Sequence, residues 1–420
     1  MKAKARKSAA KAVVVEPWDG LIHDVPGFRT ASLHCGLKTA KEEPPDLALL
    51  YCEQTCVAAG VFTQNRVCAA PVKLCREHLK KSKHHARVLV INAGMANACT
   101  GEQGKRNAHT MAARAAAWLN CKPEEVLVFS TGVIGRQLPM EKIEVGIERT
   151  AMFVREQKIT GEFARGIMTT DLVPKIAAAA VKIGGKTVRF AGVAKGSGMI
   201  APNMATLLGI VATDAAVAPA VLQEALSGIA AETFNCVTVD GDTSTNDSFV
   251  VLASGLARNP SISRVRGPGY APLHAALHAV CDSLARQIAA DGEGARHTIT
   301  LYVGGTKSDA DAGKLARTIA ESPLVKTAIG GNDPNWGRIL AAAGRAGVVF
   351  DPEAASLTLC GHELFKDGQP VNFDAAAVGA ALKARDISMV LLVGEGPGRA
   401  KFYTCDLTHE YISINAEYHT

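Results

Sequence analysis

The sequence lacks the features that would place it in several large classes of protein. No apolar run reaches the roughly 18 residues that a membrane-spanning helix needs. There is no repeat of fixed period and no Gly/Ser-rich linker. The 11 cysteines are scattered, and no second Cys/His pair at zinc-site spacing accompanies Cys52 and Cys56. We therefore expect a protein without membrane contact or a metal, in the reducing cytoplasm.

Positive charge is concentrated at the start of the chain. The formal net charge is +6, and much of it lies in an Ala/Ser-rich stretch before Trp18, so that the remainder is close to neutral. Such a stretch could be a nucleic-acid arm or a targeting peptide. Because no apolar segment or small-residue cleavage site follows it, we interpret residues 1–15 as a solvated, disordered extension and expect no nucleic-acid partner.

The remaining residues have the composition of a soluble globular protein with a large core, with 48% hydrophobic and 20% charged residues. Strands and helices do not alternate one for one, and several predicted strands follow each other directly. This order favours an α+β fold over a Rossmann or barrel fold. The predicted strands are 47–51, 87–91, 126–130, 187–194, 207–213, 249–253, 298–303 and 389–393. The predicted helices are 104–119, 140–156, 218–234, 271–290 and 310–321.

Thr206 has surroundings that suit a self-activating nucleophile. A threonine hydroxyl attacks well only when a base lies beside it, and the α-amine of an N-terminal threonine can be that base. An internal threonine gains such an amine only if the bond before it breaks. Ala205 leaves the preceding carbonyl sterically open, Gly196 and Gly198 permit a tight approach, and the apolar run after Thr206 would anchor it.

Two plainer interpretations of the same segment stay open on the residues alone. Threonine before an apolar run is usually a β-branched strand residue. The run Lys195–Gly198 could instead bind phosphate, although it lacks the residue order of a P-loop.

A series of longer motifs along the chain points to one family. They are Phe62-Thr-Gln-Asn-Arg66, Ala96-Asn-Ala-Cys-Thr-Gly101, Ser130-Thr-Gly-Val-Ile-Gly135, Met168-Thr-Thr-Asp171, the run from Ala194 to Thr206, Gly241-Asp-Thr-Ser-Thr-Asn-Asp247, Asp291-Gly-Glu-Gly-Ala295, Asp333-Pro-Asn-Trp-Gly-Arg338 and Ile414-Asn-Ala-Glu-Tyr-His-Thr420. With these motifs the chain resembles the glutamate N-acetyltransferase family, also called ornithine acetyltransferases. The resemblance covers nearly the whole chain except the basic start.

The resemblance implies a fold and an assembly. The fold would be an α+β sandwich with α/β/β/α-type layers, as in ornithine acetyltransferases. The chain would cut itself between Ala205 and Thr206 into an alpha chain, 16–205, and a beta chain, 206–420. These would form one intertwined catalytic unit rather than independent domains, and would assemble as a heterotetramer.

The resemblance also implies a reaction and a site. The acetyl group of N2-acetylornithine would move to glutamate through an acetyl ester of Thr206, a step of arginine biosynthesis. Thr131 and Gly132 would form the oxyanion hole. No cofactor or metal is required, and the use of acetyl-CoA as a second acetyl donor is left open. The implied substrate-binding residues are Thr170, Lys195, Thr206, Glu293, Asn415 and the C-terminal Thr420.

Each assignment has a plainer alternative. Ser-Thr-Gly after a strand is often a simple turn, Lys195 could be a solvated surface group, and Glu293 could be an exposed turn residue. A polar cluster before residue 249 could bind Mg²⁺ or Ca²⁺, but we interpret it as a hydrogen-bonded turn that supports the site. The cluster comprises Asp242, Thr243, Asn246 and Asp247. Asn335 and Trp336 are interpreted as packing residues with a polar group.

One position departs from the family pattern. Met95 stands where the family usually has asparagine, and a thioether cannot replace the hydrogen bonds of an amide. If this side chain faces the site, the substrate preference comes into question; if it is structural, a local polar contact is lost. Two other functions stay open: an amidohydrolase or aminopeptidase with the same nucleophile, and an uncleaved amino-acid-binding protein.

Overall fold

The computed structural model describes residues 13–38, 44–157, 162–201 and 207–417. Within these ranges the chain forms a nine-stranded sheet and a six-stranded sheet, with helices packed on both. No helix in the described part of the chain is long and apolar enough to cross a bilayer. The eleven cysteines are free thiols.

The larger sheet is built from the first nine strands. Its order is β1-β6-β7-β8-β9-β3-β4-β5, and β2 pairs with β3 at the side of this path. The strands are β1 (Val15–Pro17), β2 (Phe28–Leu33), β3 (Leu47–Phe62), β4 (His85–Met95), β5 (Val126–Val133), β6 (Lys175–Ile183), β7 (Lys186–Lys195), β8 (Leu208–Thr213) and β9 (Ser248–Ala253). The helices between and after them are α1 (Ala70–Lys81), α2 (Gly101–Leu119), α3 (Met140–Arg155), α4 (Phe163–Gly166), α5 (Pro219–Glu232) and α6 (Tyr270–Ala290).

Strand β3 bends this sheet into two halves that face each other. The first residues of its 16-residue length pair with β2 and β4, whereas its last residues pair with β9. The ladder between β3 and β4 is irregular between Tyr51 and Cys56, where the strand passes from one half to the other. Buried side chains of the two inner faces, such as Ile91 and Ile210, belong to one hydrophobic cluster.

Helices cover the two outer faces of the folded sheet. Helices α5 and α6 pack on one half, where Phe190 and Phe249 are fully buried. Helices α2 and α3 pack on the other half, against Val88 and Val90. Alternate residues of the same strand point to the inner cluster, as the period of two in a β-strand requires. The order of layers is thus α/β/β/α, which confirms the predicted fold class.

The smaller sheet has the order β13-β12-β11-β14-β10-β15 and a hydrophobic core of its own. It is joined to α6 by hydrogen bonds from Lys401 Nζ and Tyr403 OH to the carboxylate of Asp282. Its elements are β10 (Thr298–Gly305), α7 (Asp309–Ala320), α8 (Pro323–Gly330), α9 (Trp336–Gly344), β11 (Ser356–Leu359), β12 (His362–Lys366), β13 (Gln369–Pro370), α10 (Ala375–Ala381), β14 (Asp386–Leu392) and β15 (Gly396–Cys405), followed by α11 (His409–Glu417).

Every predicted strand and helix overlaps an observed element. Strand β6 was not predicted, because its sequence KIAAAAVKI is rich in alanine, which favours helix. Tertiary pairing decides its conformation, since β6 forms antiparallel ladders with both β1 and β7. The separate core of the smaller sheet was not expected either.

Candidate active site

A cavity of about 420 Å³ opens where the two halves of the larger sheet come together. The C-terminal ends of β5 and β7 meet the N-terminal ends of β8 and β9 at this place. The size suits a small molecule. The cavity is lined by all six predicted site residues that lie within the described ranges, Thr131, Gly132, Thr170, Lys195, Glu293 and Asn415.

Three predicted site residues, Ala205, Thr206 and Thr420, lie outside the described residues. Leu207, which is covalently bonded to Thr206, lines the cavity. Asn415, five positions before the C-terminal residue, also lines it.

The predicted oxyanion pair lies at the end of β5, where this strand runs parallel to β4. Gly132 has φ of +119°, and a Cβ atom at this position would lie 2.3 Å from the carbonyl carbon of Gly94. Only glycine can therefore bring the backbone so close to β4. Thr131 is 8% exposed and accepts a hydrogen bond of 3.1 Å from Lys195 Nζ.

The bond from Lys195 orients the Thr131 hydroxyl. An ammonium group only donates, so Oγ1 of Thr131 must be the acceptor and its own hydrogen is available for another partner. A second bond of 2.6 Å from Lys195 Nζ reaches Thr169 Oγ1. The hydroxyl hydrogen of Thr131 and the backbone amide of Gly132 are therefore the two candidate donors at this end of the cavity.

Lys195 is not a solvated surface lysine, because its side chain is only 12% exposed. Burial lowers its pKa, and the negative charge of Asp171, whose Oδ2 lies 4.0 Å from Nζ, opposes this shift. Asp171 also accepts hydrogen bonds from Gly196 N at 2.7 Å and from Thr169 N at 3.0 Å. Burial would raise the pKa of this carboxyl, but Lys195, Lys175 and the hydrogen bond from Gly196 N outweigh burial and lower the pKa to about 2.

Glu293 lines the same cavity and is 9% exposed, which excludes the exposed-turn interpretation. Its Oε2 accepts a hydrogen bond of 2.8 Å from Asn415 Nδ2, so α11 contributes directly to the wall. Its backbone amide donates to Ser197 O at 3.0 Å. A Cβ atom at Gly198 would lie 2.4 Å from Oε2 of Glu293, so the Gly196–Gly198 segment passes directly against this carboxylate.

The turn before β9 joins the two halves of the site through Asn246. Its Nδ2 donates to Ala96 O at 2.5 Å and to Ser130 O at 2.8 Å, at the ends of β4 and β5. This supports the interpretation of the polar cluster as a hydrogen-bonded turn. Among the described residues, no group of three or more His, Cys, Asp and Glu side chains is arranged to hold a metal ion.

Asp247, in the same turn, is a buried carboxyl on the cavity wall. It is 1% exposed, and its Oδ2 has no hydrogen-bond partner in the described part of the chain. Burial raises its pKa well above the usual range, although the hydroxyls of Ser244 and Thr63 and the charge of Lys195 act in the opposite direction. A protonated carboxyl at this place avoids an uncompensated buried charge.

Two other sequence features lie away from the cavity. Met95 packs partly buried against the hydrophobic cluster under α2 and α3 and does not line the cavity. It is therefore a structural position, and its backbone carbonyl accepts a bond from Asn92 Nδ2. Asn335 caps α9 by accepting from Arg338 N, and Trp336 stacks on Phe365 in the smaller sheet, so both pack there rather than at the cavity.

The sequence analysis missed Thr169, Lys175 and Asp291 as site residues. Thr169 and Asp291 belong to motifs that marked the family, and the motifs were the available signal. Nothing in the sequence distinguishes Lys175 from an ordinary lysine, yet its side chain is fully buried between Asp171 and Asp291.

Comparison with known proteins identifies the family. The model of the ArgJ family matches residues 29–420. The chain belongs to the ArgJ family. This confirms the resemblance of the motifs, and with it the prediction of an acyltransferase of arginine biosynthesis. The matched range begins after the basic start of the chain, as the motifs do.

Two curated relatives within the family match almost end to end. The arginine biosynthesis bifunctional protein ArgJ of Shouchella clausii is 46% identical over 401 residues, which are 96% of each chain. The protein of the same name from Synechocystis is 46% identical over 412 residues, covering 96% of this chain and 98% of the relative. The crystal structure of the ArgJ protein from Bacillus halodurans is 44% identical with a TM-score of 0.48, covering 49% of this chain and 96% of that chain.

Proposed function

We propose that this ArgJ family member transfers the acetyl group of N2-acetylornithine to glutamate through an acetyl ester of Thr206. The observation that carries the proposal is that two candidate donors, Thr131 and Gly132, line one cavity together with the carboxylate of Glu293. Lys195 donates a hydrogen bond to Thr131 in this cavity. A site for acyl transfer needs donors for an oxyanion and a group that holds the substrate. Glu293 is the carboxylate available for an ammonium group of the substrate.

The reaction begins with cleavage of the chain. Thr206 Oγ attacks the carbonyl carbon of Ala205, the C–N bond breaks, and the hydroxyl proton passes to the nitrogen. Water then opens the resulting ester, which leaves a carboxylate on Ala205 and an N-terminal Thr206. Leu207 lines the cavity, so the new N-terminal residue would be covalently bonded to a residue of the cavity wall.

Acetyl transfer then uses the freed amine as base. The amine takes the Oγ proton of Thr206 as Oγ attacks the acetyl carbonyl, and Thr131 and Gly132 donate to the oxyanion. The nitrogen of ornithine leaves with the proton, and the acetyl ester remains. The unprotonated amino group of glutamate then attacks the ester carbonyl, the bond from that carbon to Oγ breaks, and a proton from the attacking nitrogen passes to Oγ and restores the hydroxyl of Thr206.

The same ester could receive its acetyl group from acetyl-CoA. The relatives are named bifunctional, which supports acetyl-CoA as a second co-substrate. We propose no cofactor or metal. The assembly that goes with the proposal is two chains from one precursor, 16–205 and 206–420, in a cytoplasmic heterotetramer. The order of the larger sheet supports intertwined chains, because β8 and β9 lie between β7 and β3.

Intact mass of the denatured protein tests the cleavage. Two fragments that meet at Ala205 and Thr206 are expected, and Thr206→Ala should remain one chain. Thr300→Ala, in β10 of the smaller sheet, is the matched control and should be cleaved normally. A full-length wild-type chain that transfers acetyl groups would overturn the mechanism.

A coupled assay tests the transfer itself. N2-acetylornithine with glutamate should give ornithine and N-acetylglutamate, whereas acetyl-CoA with glutamate measures the second donor. Release of free acetate from N2-acetylornithine without transfer to glutamate would instead identify a hydrolase. Binding of the amino acids without any cleavage or turnover would identify an amino-acid-binding protein.

A further inference from the structure

Lys175 lies in a buried row of four charged side chains beside the cavity. Its side chain is 0% exposed, and its Nζ lies 2.6 Å from Asp171 Oδ1 and 2.6 Å from Asp291 Oδ2. The other oxygen of Asp171 lies 4.0 Å from Lys195 Nζ. The row Lys195, Asp171, Lys175 and Asp291 alternates in sign and is neutral as a whole, which is how charges are tolerated in an interior.

The two carboxylates that hold Lys175 belong to the two loops of the substrate site. Asp171 directly follows Thr170, which lines the cavity, and Asp291 stands two positions before Glu293. Asp291 Oδ2 also accepts from Leu172 N at 3.1 Å, so the two loops touch each other at Lys175.

The third segment of the site is attached to the same row. Gly196 N donates to Asp171 Oδ1 at 2.7 Å, and Ser197 Oγ donates to Asp291 O at 2.6 Å. The segment that follows β7 is therefore tied to the carboxylate of Asp171 and to the backbone carbonyl of Asp291, and the next glycine, Gly198, passes against Glu293.

We propose that Lys175 is a positioning residue for the acetyl-transfer site: through Asp291 it holds the loop of Glu293, and through Asp171 it holds Lys195 against Thr131. This inference deepens the proposed function and rests on it. Lys175 does not line the cavity, so it is not placed to contact a substrate there. It acts by fixing the oxyanion donors and the Glu293 carboxylate of the same cavity relative to each other.

Stability alone does not account for such a row. Buried ion pairs contribute little net stability compared with apolar residues of similar volume, whereas removal of one partner leaves a costly unpaired charge. A single substitution of Lys175 would therefore mix misfolding with loss of position. Two double variants that remove one positive and one negative charge separate the two effects.

The first double variant is Lys175→Met/Asp291→Asn, which leaves the pair of Lys195 and Asp171 in place. It releases the loop of Glu293, so KM for N2-acetylornithine should rise by about tenfold or more, because a charge-assisted contact loses its position. The turnover number kcat should fall much less than in the second variant, because Asp171 loses Lys175 but still faces the charge of Lys195.

The second double variant is Lys175→Met/Asp171→Asn, which removes the counter-charge of Lys195. Here kcat should fall by about 100-fold, because the oxyanion donors lose their orientation. KM should rise less than in the first variant, because Asp291 loses Lys175 but still accepts a hydrogen bond from Leu172 N. Lys182→Met, an exposed lysine at the other end of β6, is the matched control and should keep both constants.

The assay is run on purified, self-cleaved protein, with thermal unfolding of each variant in parallel. A split between KM and kcat in folded variants supports the proposal. Two folded double variants with wild-type kcat and KM would overturn it, as would two double variants that do not fold, since the row would then serve folding. A wild-type protein that is folded but transfers no acetyl group would contradict the proposed function instead.

Discussion

Gly132 of β5 and Gly94 of β4 approach so closely that no side chain fits between them. A Cβ atom on Gly132 would lie 2.3 Å from the carbonyl carbon of Gly94. The backbone of Gly132 also has φ of +119°, a value that residues with a side chain rarely adopt. The candidate oxyanion amide is thus placed by the contact between two backbones.

This contact predicts the effect of a single methyl group at Gly132. In Gly132→Ala, β5 must move away from β4, and the amide moves with it. We expect kcat for acetyl transfer to fall by about 100-fold or more, as for the loss of an oxyanion donor. Steady-state kinetics with N2-acetylornithine and glutamate measures this.

Gly135→Ala is the matched control for this variant. Gly135 has φ of +86°, but a Cβ atom there meets no heavy atom within 4 Å. The Gly135→Ala variant should lose only the roughly 1–2 kcal/mol of stability that a left-handed backbone costs a residue with a side chain, and its kcat should not change. An unchanged kcat in Gly132→Ala would remove Gly132 from the oxyanion hole.

Acetyl transfer should also be sensitive to an added methyl group at Gly198, for a different reason. A Cβ atom at Gly198 would lie 2.4 Å from Oε2 of Glu293, so Gly198→Ala must displace this carboxylate or its own loop. We expect KM for N2-acetylornithine to rise by about tenfold or more. Gly228→Ala, in α5 with open space around it, serves as the control and should raise stability by roughly 0.5–1 kcal/mol. A wild-type KM in Gly198→Ala would show that Glu293 does not bind the substrate.

Asp247 makes stability depend on pH. Burial raises the pKa of its carboxyl above the value in the unfolded chain. Its contribution to the free energy of unfolding is therefore fully present below pH about 4 and is lost as the pH rises through the folded pKa. Asp247→Asn removes this loss, so the Tm of the variant minus that of the wild type should increase as the pH is raised from 4.5, until the pH passes the folded pKa of Asp247.

Each kcal/mol of this difference should shift the Tm by about 1 °C in a chain of 420 residues, because the entropy of unfolding grows with chain length. Thr300→Ala, which removes no titratable group and lies in β10 of the smaller sheet, is the control and should give a difference that does not vary with pH. A flat difference for Asp247→Asn as well would mean that the carboxyl is not held in its neutral form.

Met95 should influence stability and leave donor choice unchanged. It packs in the cluster under α2 and α3 and does not line the cavity. Met95→Asn places an amide in this cluster, which should cost about 1–3 kcal/mol. The ratio of activities with N2-acetylornithine and acetyl-CoA should stay the same. Met95→Leu should keep both the stability and the ratio of activities. If Met95→Asn alone changed this ratio, the side chain at position 95 would belong to the site.

The sequence was sufficient to predict the α+β class and the main helices, because these depend on local periodicity. It failed at β6, where four consecutive alanines favour helix and pairing with β1 and β7 overrides them. It also gave no sign that β3 would bend and serve two halves of the sheet. That property depends on which strands pair with each end, and sequence periodicity does not contain this information.

Within the site, the motifs predicted which residues meet, although Thr131 and Glu293 are far apart in the chain. The motifs did not reveal what holds them. Lys175 contacts Asp171 four positions away and Asp291 116 positions away, and neither contact follows from spacing. Sequence patterns identify residues that take part in chemistry more readily than residues that act through a buried charge. The reason is that the sequence does not show whether a lysine is buried or exposed.

The position of β8 has a consequence for the life of the cleaved protein. This strand lies in the interior of the larger sheet, with antiparallel β7 on one side and parallel β9 on the other. A cut between Ala205 and Thr206 would leave both ladders closed, so the fragments would stay together without a covalent link. Folding would then become an encounter between two molecules, with a Tm that rises with protein concentration and a poor recovery after unfolding. The precursor could refold as a single chain. After its self-cleavage, the two fragments would have to find each other again before they could refold.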